Sequence, residues 1–156
     1  MKRVCIPVAA GLLLLAALPA CSPPLTVEQQ VIAVIREMEA RIEDGERRPF
    51  MEHVAPEFAG QGGTLDRDHL NALVLYQLHR NQRLRAQLLP INVVELKPEL
   101  AEAGFRVLVT GGPGWIPERG QVYQIETRWQ RRGDEWLLVS ANWKPVQLED
   151  MVPIDR

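Results

Sequence analysis

Apolar positions along the chain change their period twice, and each change marks a new kind of segment. From Val4 to Leu18 the run is almost unbroken, directly after Lys2 and Arg3. From Thr26 the spacing becomes helical: Val27, Val31, Val34, Ile35, Met38 and Ile42 fall on one face, with Glu28, Gln30, Arg36, Glu37 and Arg41 on the other. Thr26-Val27-Glu28-Gln29 reads as a capping box, in which Thr26 accepts from the first turn and Gln29 reaches back. Gly45 fits a helix stop. Arg48 to Ala55 predicts a short second helix with Pro49 at its first position and Pro56 past its end. Gly60-Gln61-Gly62-Gly63 is a turn, and Leu65 fits a brief strand. Thr64 or Asp66 then caps a third helix that turns Leu70, Leu73, Val74 and Leu78 inward and keeps Tyr76 near that inner face.

After Asn81 the period drops to two. Arg83 to Leu88 alternates and Ile91 to Leu96 nearly does, with Pro90 between them as a bulge, an edge or a strand start. Phe105 to Thr110 is the next strand, followed by a glycine-rich loop from Gly111 to Gly120. Tyr123, Ile125, Thr127 and Trp129 then share one strand face, and Gln124, Glu126, Arg128 and Gln130 the other, where Arg83, Arg85 and Arg106 join from neighbouring strands. Arg132-Gly133-Asp134 is a tight turn into a last strand from Trp136 to Trp143, and residues 146–156 form an irregular tail. Helices first and strands afterwards predict an α+β fold, with N-terminal helices packed on a strongly curved antiparallel sheet.

The apolar start changes the meaning of everything after it. Fifteen apolar residues are too few for a bilayer span, which takes about 20, but a basic start, an apolar middle and a small-residue end describe a secretory leader. Leu18-Pro19-Ala20-Cys21 resembles the lipobox of bacterial lipoproteins, where the cysteine is lipidated and becomes the new N-terminus. That resemblance implies a signal peptide over 1–20, a lipidated Cys21 with a short tether over 21–25, and a folded domain over 26–145. Ser22 in place of an aspartate implies, by the same analogy, the outer membrane facing the periplasm. Loss of 1–20 removes Lys2 and Arg3 and no acid, so the formal net charge falls from −2 to −4. Neither that charge nor any basic run fits nucleic acid. Cys5 leaves with the leader and Cys21 is acylated, so no thiol is left for a disulfide, a metal or a nucleophile.

The helical start, the segment from Phe50 to Phe58, and the strand series closing on Glu135-Trp136-Leu137-Leu138-Val139 are similar to the nuclear transport factor 2-like superfamily, also called SnoaL-like or ketosteroid-isomerase-like. The stretch Leu108 to Gly112 with Pro117 to Tyr123 resembles uncharacterised proteobacterial members of that group. The resemblance covers about Thr26 to Pro145. It implies a cone-shaped fold with a cavity between sheet and helices, and frequent dimers through the open sheet face. Enzymes, binding modules and scaffolds all use this fold, so it does not choose among them.

Candidate chemistry is sparse. His69 and His79 stand about 15 Å apart along one helix and cannot share a metal. His53 is remote in sequence, and no metal-binding spacing is present. Isomerase-type chemistry needs a carboxylate and a neutral donor buried together. Tyr76, Tyr123 and Trp129 are the candidate cavity residues, whereas Glu126 lies on the strand face opposite Tyr123. The loop Gly111 to Pro117 lacks the lysine and hydroxyl of a phosphate cradle, but its Trp115 and Ile116 fit an apolar contact to a partner or ligand. No cofactor is implied. The reading that follows is a lipid-anchored cell-envelope protein that binds a small apolar ligand or a protein partner without catalysis. Two alternatives stay open: a SnoaL-like periplasmic enzyme of isomerase, cyclase or hydrolase type on a small hydrophobic substrate, and a structural subunit of an envelope complex.

Overall fold

A computed structural model describes residues 23–81, 83–112 and 119–146. The first helix, α1 (Val27–Glu43), begins where the capping residues place it. Thr26 Oγ1 accepts the Gln29 amide at 3.2 Å, and Gln29 Oε1 accepts the Thr26 amide at 3.0 Å. Its stripe buries Val31, Ile35 and Met38. Gly45, at φ +74°, turns the chain in a conformation that glycine adopts without a steric penalty.

The second helix, α2 (Arg47–Glu52), stops three residues before the predicted Ala55, and Pro49 is its third residue rather than its first. The reason is tertiary. The backbone after Glu52 leaves the helix to pair with the last strand, where the Leu138 amide donates to the His53 carbonyl at 2.8 Å and the Ala55 amide donates to the Leu138 carbonyl at 2.9 Å. Two short strands, β1 (Ala59–Gly60) and β2 (Leu65–Asp66), flank a tight turn at Gln61–Gly63 and form a small ribbon. Asp66, not Thr64, caps α3 (Arg67–Arg80) by accepting the His69 amide at 2.8 Å.

The main sheet contains β3 (Arg83–Leu88), β4 (Asn92–Lys97), β5 (Leu100–Gly112), β6 (Arg119–Arg132) and β7 (Glu135–Pro145). Its order is β3-β5-β6-β7, and β4 also pairs with β5. All pairings are antiparallel. One edge is therefore a broken strand: β3 lies beside the second half of β5 and β4 beside the first, with Leu89-Pro90-Ile91 at the break. Proline has no amide to give a ladder, which explains why the break falls there. β5 starts at Leu100, five residues before the predicted Phe105. Alanine, glutamate and glycine at 101–104 carry little strand preference. What places them in the sheet is the side chain opposite: Ala101 pairs with Trp129, and only a small residue leaves room there. Gly111, Gly112 and Gly120 belong to strands, so the predicted loop of 111–120 is shorter than expected, and Trp115 and Ile116 lie outside the described residues. Gly133 and Asp134 make the two-residue turn between β6 and β7, with Gly133 at φ +61° as its first position requires.

Both ends of the sheet order are covered. Glu39 and Glu43 on α1 accept the Leu88 and Ala86 amides of β3 at 3.1 and 2.8 Å. Four residues of helix rise about 6 Å and two residues of strand about 6.7 Å, so the two carboxylates match alternate strand amides. On the far edge, the Gln61 side-chain amide pairs with the Trp143 backbone on both sides, donating to its carbonyl at 3.1 Å and accepting its amide at 3.2 Å. Unpaired strand edges invite pairing with other chains, and these contacts close two of them. Val139 is an extra residue on β7, since Trp129 pairs with Leu138 and Arg128 with Ser140; such a bulge bends the strand. The result is an α+β cone, with the sheet wrapped over α1 and the α2–α3 layer at its side. Among the described residues no helix is long and apolar enough to cross a membrane.

Candidate functional site

The interior of the cone is filled with side chains. Trp129 is 1 % exposed, and Val31, Ile35, Phe58, Ala101, Ala103, Phe105, Trp136 and Leu138 pack into the same core. The one buried polar side chain among the described residues is Thr127. Its hydroxyl accepts the Trp129 indole N–H at 2.8 Å and donates to the Ala103 carbonyl at 2.9 Å. No polar atom is left over for a ligand: among the described residues no buried side-chain nitrogen or oxygen lacks a partner.

The three cavity candidates are dispersed. Trp129 fills the interior rather than lining open space. Tyr123 is half-buried on the inner sheet face, opposite Val107 and Pro145. Tyr76 is 55 % exposed, which corrects its expected place on the inner face of α3. The buried stripe runs through Leu70 and Val74 with Leu78 packed beside it, and a step of two residues from Val74 turns Tyr76 about 200° away. Its hydroxyl accepts from Arg80 at 2.9 Å, and the Arg80 guanidinium lies 5.9 Å from the ring centre. Cys21 and the Trp115–Ile116 loop lie outside the described residues.

Titratable groups cluster on the surface. Asp66 has its carboxyl held below the ordinary carboxylate range, first by the His69 backbone amide and then by the His69 ring, whose Nδ1 is 2.8 Å away. Arg41 is held above its ordinary value by hydrogen bonds to Glu46 and Glu37. Both are caps or helix-surface pairs, not members of a buried acid–base couple. Among the described residues no group of three or more histidine, cysteine or acidic side chains is arranged to hold a metal ion.

Concavity lies outside the core. A groove of about 590 Å³ runs between α1, the end of α2 and the β6–β7 turn. Ala33, Val34 and Trp136 form its floor, Glu37, Glu52, His53, Arg131, Asp134 and Glu135 its rim, and Leu137 adjoins it from the next position of β7. Gln30 builds one wall. Its side chain accepts the Trp136 indole N–H at 3.0 Å and donates to the Leu25 carbonyl at 2.7 Å, which ties the start of the domain to a core tryptophan. A second groove of about 530 Å³ crosses the outer face of the sheet over Gly104, between Asn92, Glu126, Asn142 and the Glu102–Arg128 pair. The register confirms that Gln124, Glu126 and Arg128 share this face with Arg85 and Arg106, because Arg106 pairs with Gln124 and Arg85 with Thr110. Reading the sequence misses the first groove: its lining comes from four separate segments, and no period or motif connects them.

No protein-family model matches the chain, and no curated protein matches it by sequence. Solved structures do match in shape. An uncharacterized protein with a cystatin-like fold from Caulobacter vibrioides superimposes with a TM-score of 0.67 at 14% identity, over 80% of this chain and 92% of that one. A nuclear transport factor 2-like protein of unknown function from Pseudomonas putida gives 0.65 at 16% identity, over 78% and 89%. Bd1075 from Bdellovibrio bacteriovorus gives 0.66 at 8% identity over 76% of this chain, which spans only 41% of that longer protein. At such identities the likeness is one of fold alone, and the fold is the cystatin-like, nuclear transport factor 2-like cone.

Proposed function

We propose that this chain is a lipid-anchored protein of the bacterial cell envelope, held through Cys21 at the outer membrane and facing the periplasm, whose folded domain binds a protein partner at its surface and performs no chemistry in its interior. The anchor rests on the leader pattern and on Leu18-Pro19-Ala20-Cys21. The binding role rests on one observation: the space where this fold would hold a substrate is occupied by Trp129 and its neighbours, with Thr127 the single polar side chain there among the described residues and fully engaged. General acid–base work needs at least one titratable group beside the reacting atoms. A small apolar ligand is the weaker version of the same reading, because the grooves are open and rimmed with charge. Trp115 and Ile116 enter the proposal as an additional apolar contact for the partner.

Two measurements test it. Cells fed labelled palmitate should label the wild-type protein and not Cys21→Ser, and the variant should leave the membrane fraction; an unlabelled wild type removes the anchor. Native mass spectrometry of the Ser22–Arg156 chain, exported without its anchor, should show the bare mass of the polypeptide. A reproducible apolar adduct would return the cone to the role of ligand site.

A further inference from the structure

The groove beside the tether combines three features that occur together nowhere else among the described residues. The first is position. Leu25, the last residue of the tether read from the sequence and four positions after Cys21, lies in its wall. The Gln30 amide pins that entry to Trp136, so the groove keeps its place relative to the tether. The second is charge. Glu37, Glu52, Asp134 and Glu135 line it, against Arg131 and His53. Arg131 is turned into its own hairpin, donating to the Gly133 carbonyl at 3.1 Å and standing 3.8 Å from Asp134, and Glu37 meets Arg41 at 3.1 Å with His53 3.7 Å away. Glu46, Glu57 and Glu102 likewise each meet an arginine, Arg41, Arg132 and Arg128. Glu52 and Glu135 have no ion pair among the described residues. The third is an apolar floor under this charge, made of Ala33 and Val34 beside a tryptophan, Trp136, that is itself buried.

We infer that this groove is the docking site for the partner, and that the segment it takes is basic and aliphatic: a lysine or arginine side chain against Glu52 and Glu135, with a neighbouring aliphatic side chain on the floor of Ala33 and Val34. The inference rests on the partner-binding reading above. Charge complementarity selects this occupant, since clustered acids in a cleft concentrate a cationic segment and speed its approach. The same acids repel an anionic lipid surface, so the groove is not a membrane contact. A volume of about 590 Å³ takes one to three side chains, not a folded domain. The body of the partner therefore rests on the rim while a short segment enters.

The test uses the full chain in neutral detergent and a fluorescent hexapeptide of alternating arginine and leucine, read by anisotropy. Binding should weaken as salt rises. It should weaken by about tenfold in the Glu52→Gln/Glu135→Gln double variant and stay unchanged in Glu126→Gln on the outer sheet face. An arginine–glycine peptide should bind less well than the arginine–leucine one. Unchanged circular dichroism shows that the glutamine variants fold. Equal binding to wild type and double variant, or equal loss in Glu126→Gln, overturns the inference. A photo-reactive side chain placed in cells at position 33 or at position 126 separates this failure from that of the broader reading. A crosslink at 33 that the peptide competes away supports the groove. A crosslink only at 126 overturns the groove and keeps a partner-binding role. Crosslinks at neither position overturn both.

Discussion

The two faces of β6 obey different rules although their residues alternate along one strand. On the inner face Thr127 and Trp129 are buried and joined to Ala103 by two hydrogen bonds. On the outer face Glu126, Arg128 and Gln130 are exposed, and the Arg128 guanidinium meets Glu102 at 2.6 Å in open solvent. The inner contacts are few and short, and water cannot substitute for a partner that is removed there. The outer contacts are exchangeable with water. Stability is therefore concentrated on one side of the sheet, and the freedom to vary or to bind lies on the other side and at its rim.

The sharpest attempt to break this contrast is Trp129→Ala. It removes the indole beneath Ala101 and should cost about 3–5 kcal/mol in urea unfolding, enough to unfold a domain of ordinary stability. Thr127→Val keeps the shape and removes the hydroxyl, stranding the buried indole N–H. It should cost about 1–3 kcal/mol by the same measurement. A loss below a few tenths would mean that the Trp129–Thr127 pair is packing alone.

Acid sensitivity should come from outside the core. Asp66 is held below its ordinary value in the fold, so its contribution is present above the unfolded-state value of 3.8 and is lost as pH falls through the lower folded value. Asp66→Asn keeps a capping oxygen and loses the charge. Thermal melts from about pH 7 down to pH 2 should show the wild type ahead at neutral pH and the two converging as the pH falls past the unfolded value and through the lower folded one. A constant gap at every pH would assign the effect to cap geometry. The smallest effect belongs to the outer face: Arg128→Ala should change stability by no more than about 0.5 kcal/mol, and a larger loss would show that this face is buried against something in solution.

Much of this architecture is legible along the chain. The capping box at Thr26 and Gln29, the stop at Gly45, the Asp66 cap, the inward set Tyr123, Ile125, Thr127 and Trp129, and the turn at Gly133 are local signals read by local geometry, and each stands where its spacing puts it. The misreadings share one cause. The end of α2 is decided by pairing to Leu138, the start of β5 by the tryptophan opposite Ala101, and the side of α3 that Tyr76 occupies by which stripe meets the core. In each case a partner distant in sequence overrides a weak local preference.

The site follows the same division. The sequence by itself determined the order of helices and strands, which face of each strand is apolar, the leader pattern at the N-terminus and the absence of a spaced metal or nucleophile motif. Those properties follow from neighbours within a turn or a hairpin. Only the tertiary structure decided that the cone is filled and that concavity lies instead between α1, α2 and the β6–β7 turn. Whether a side chain fills a space or lines it depends on what stands on the opposite wall, and the walls here come from residues a hundred positions apart, such as Gln30 and Trp136.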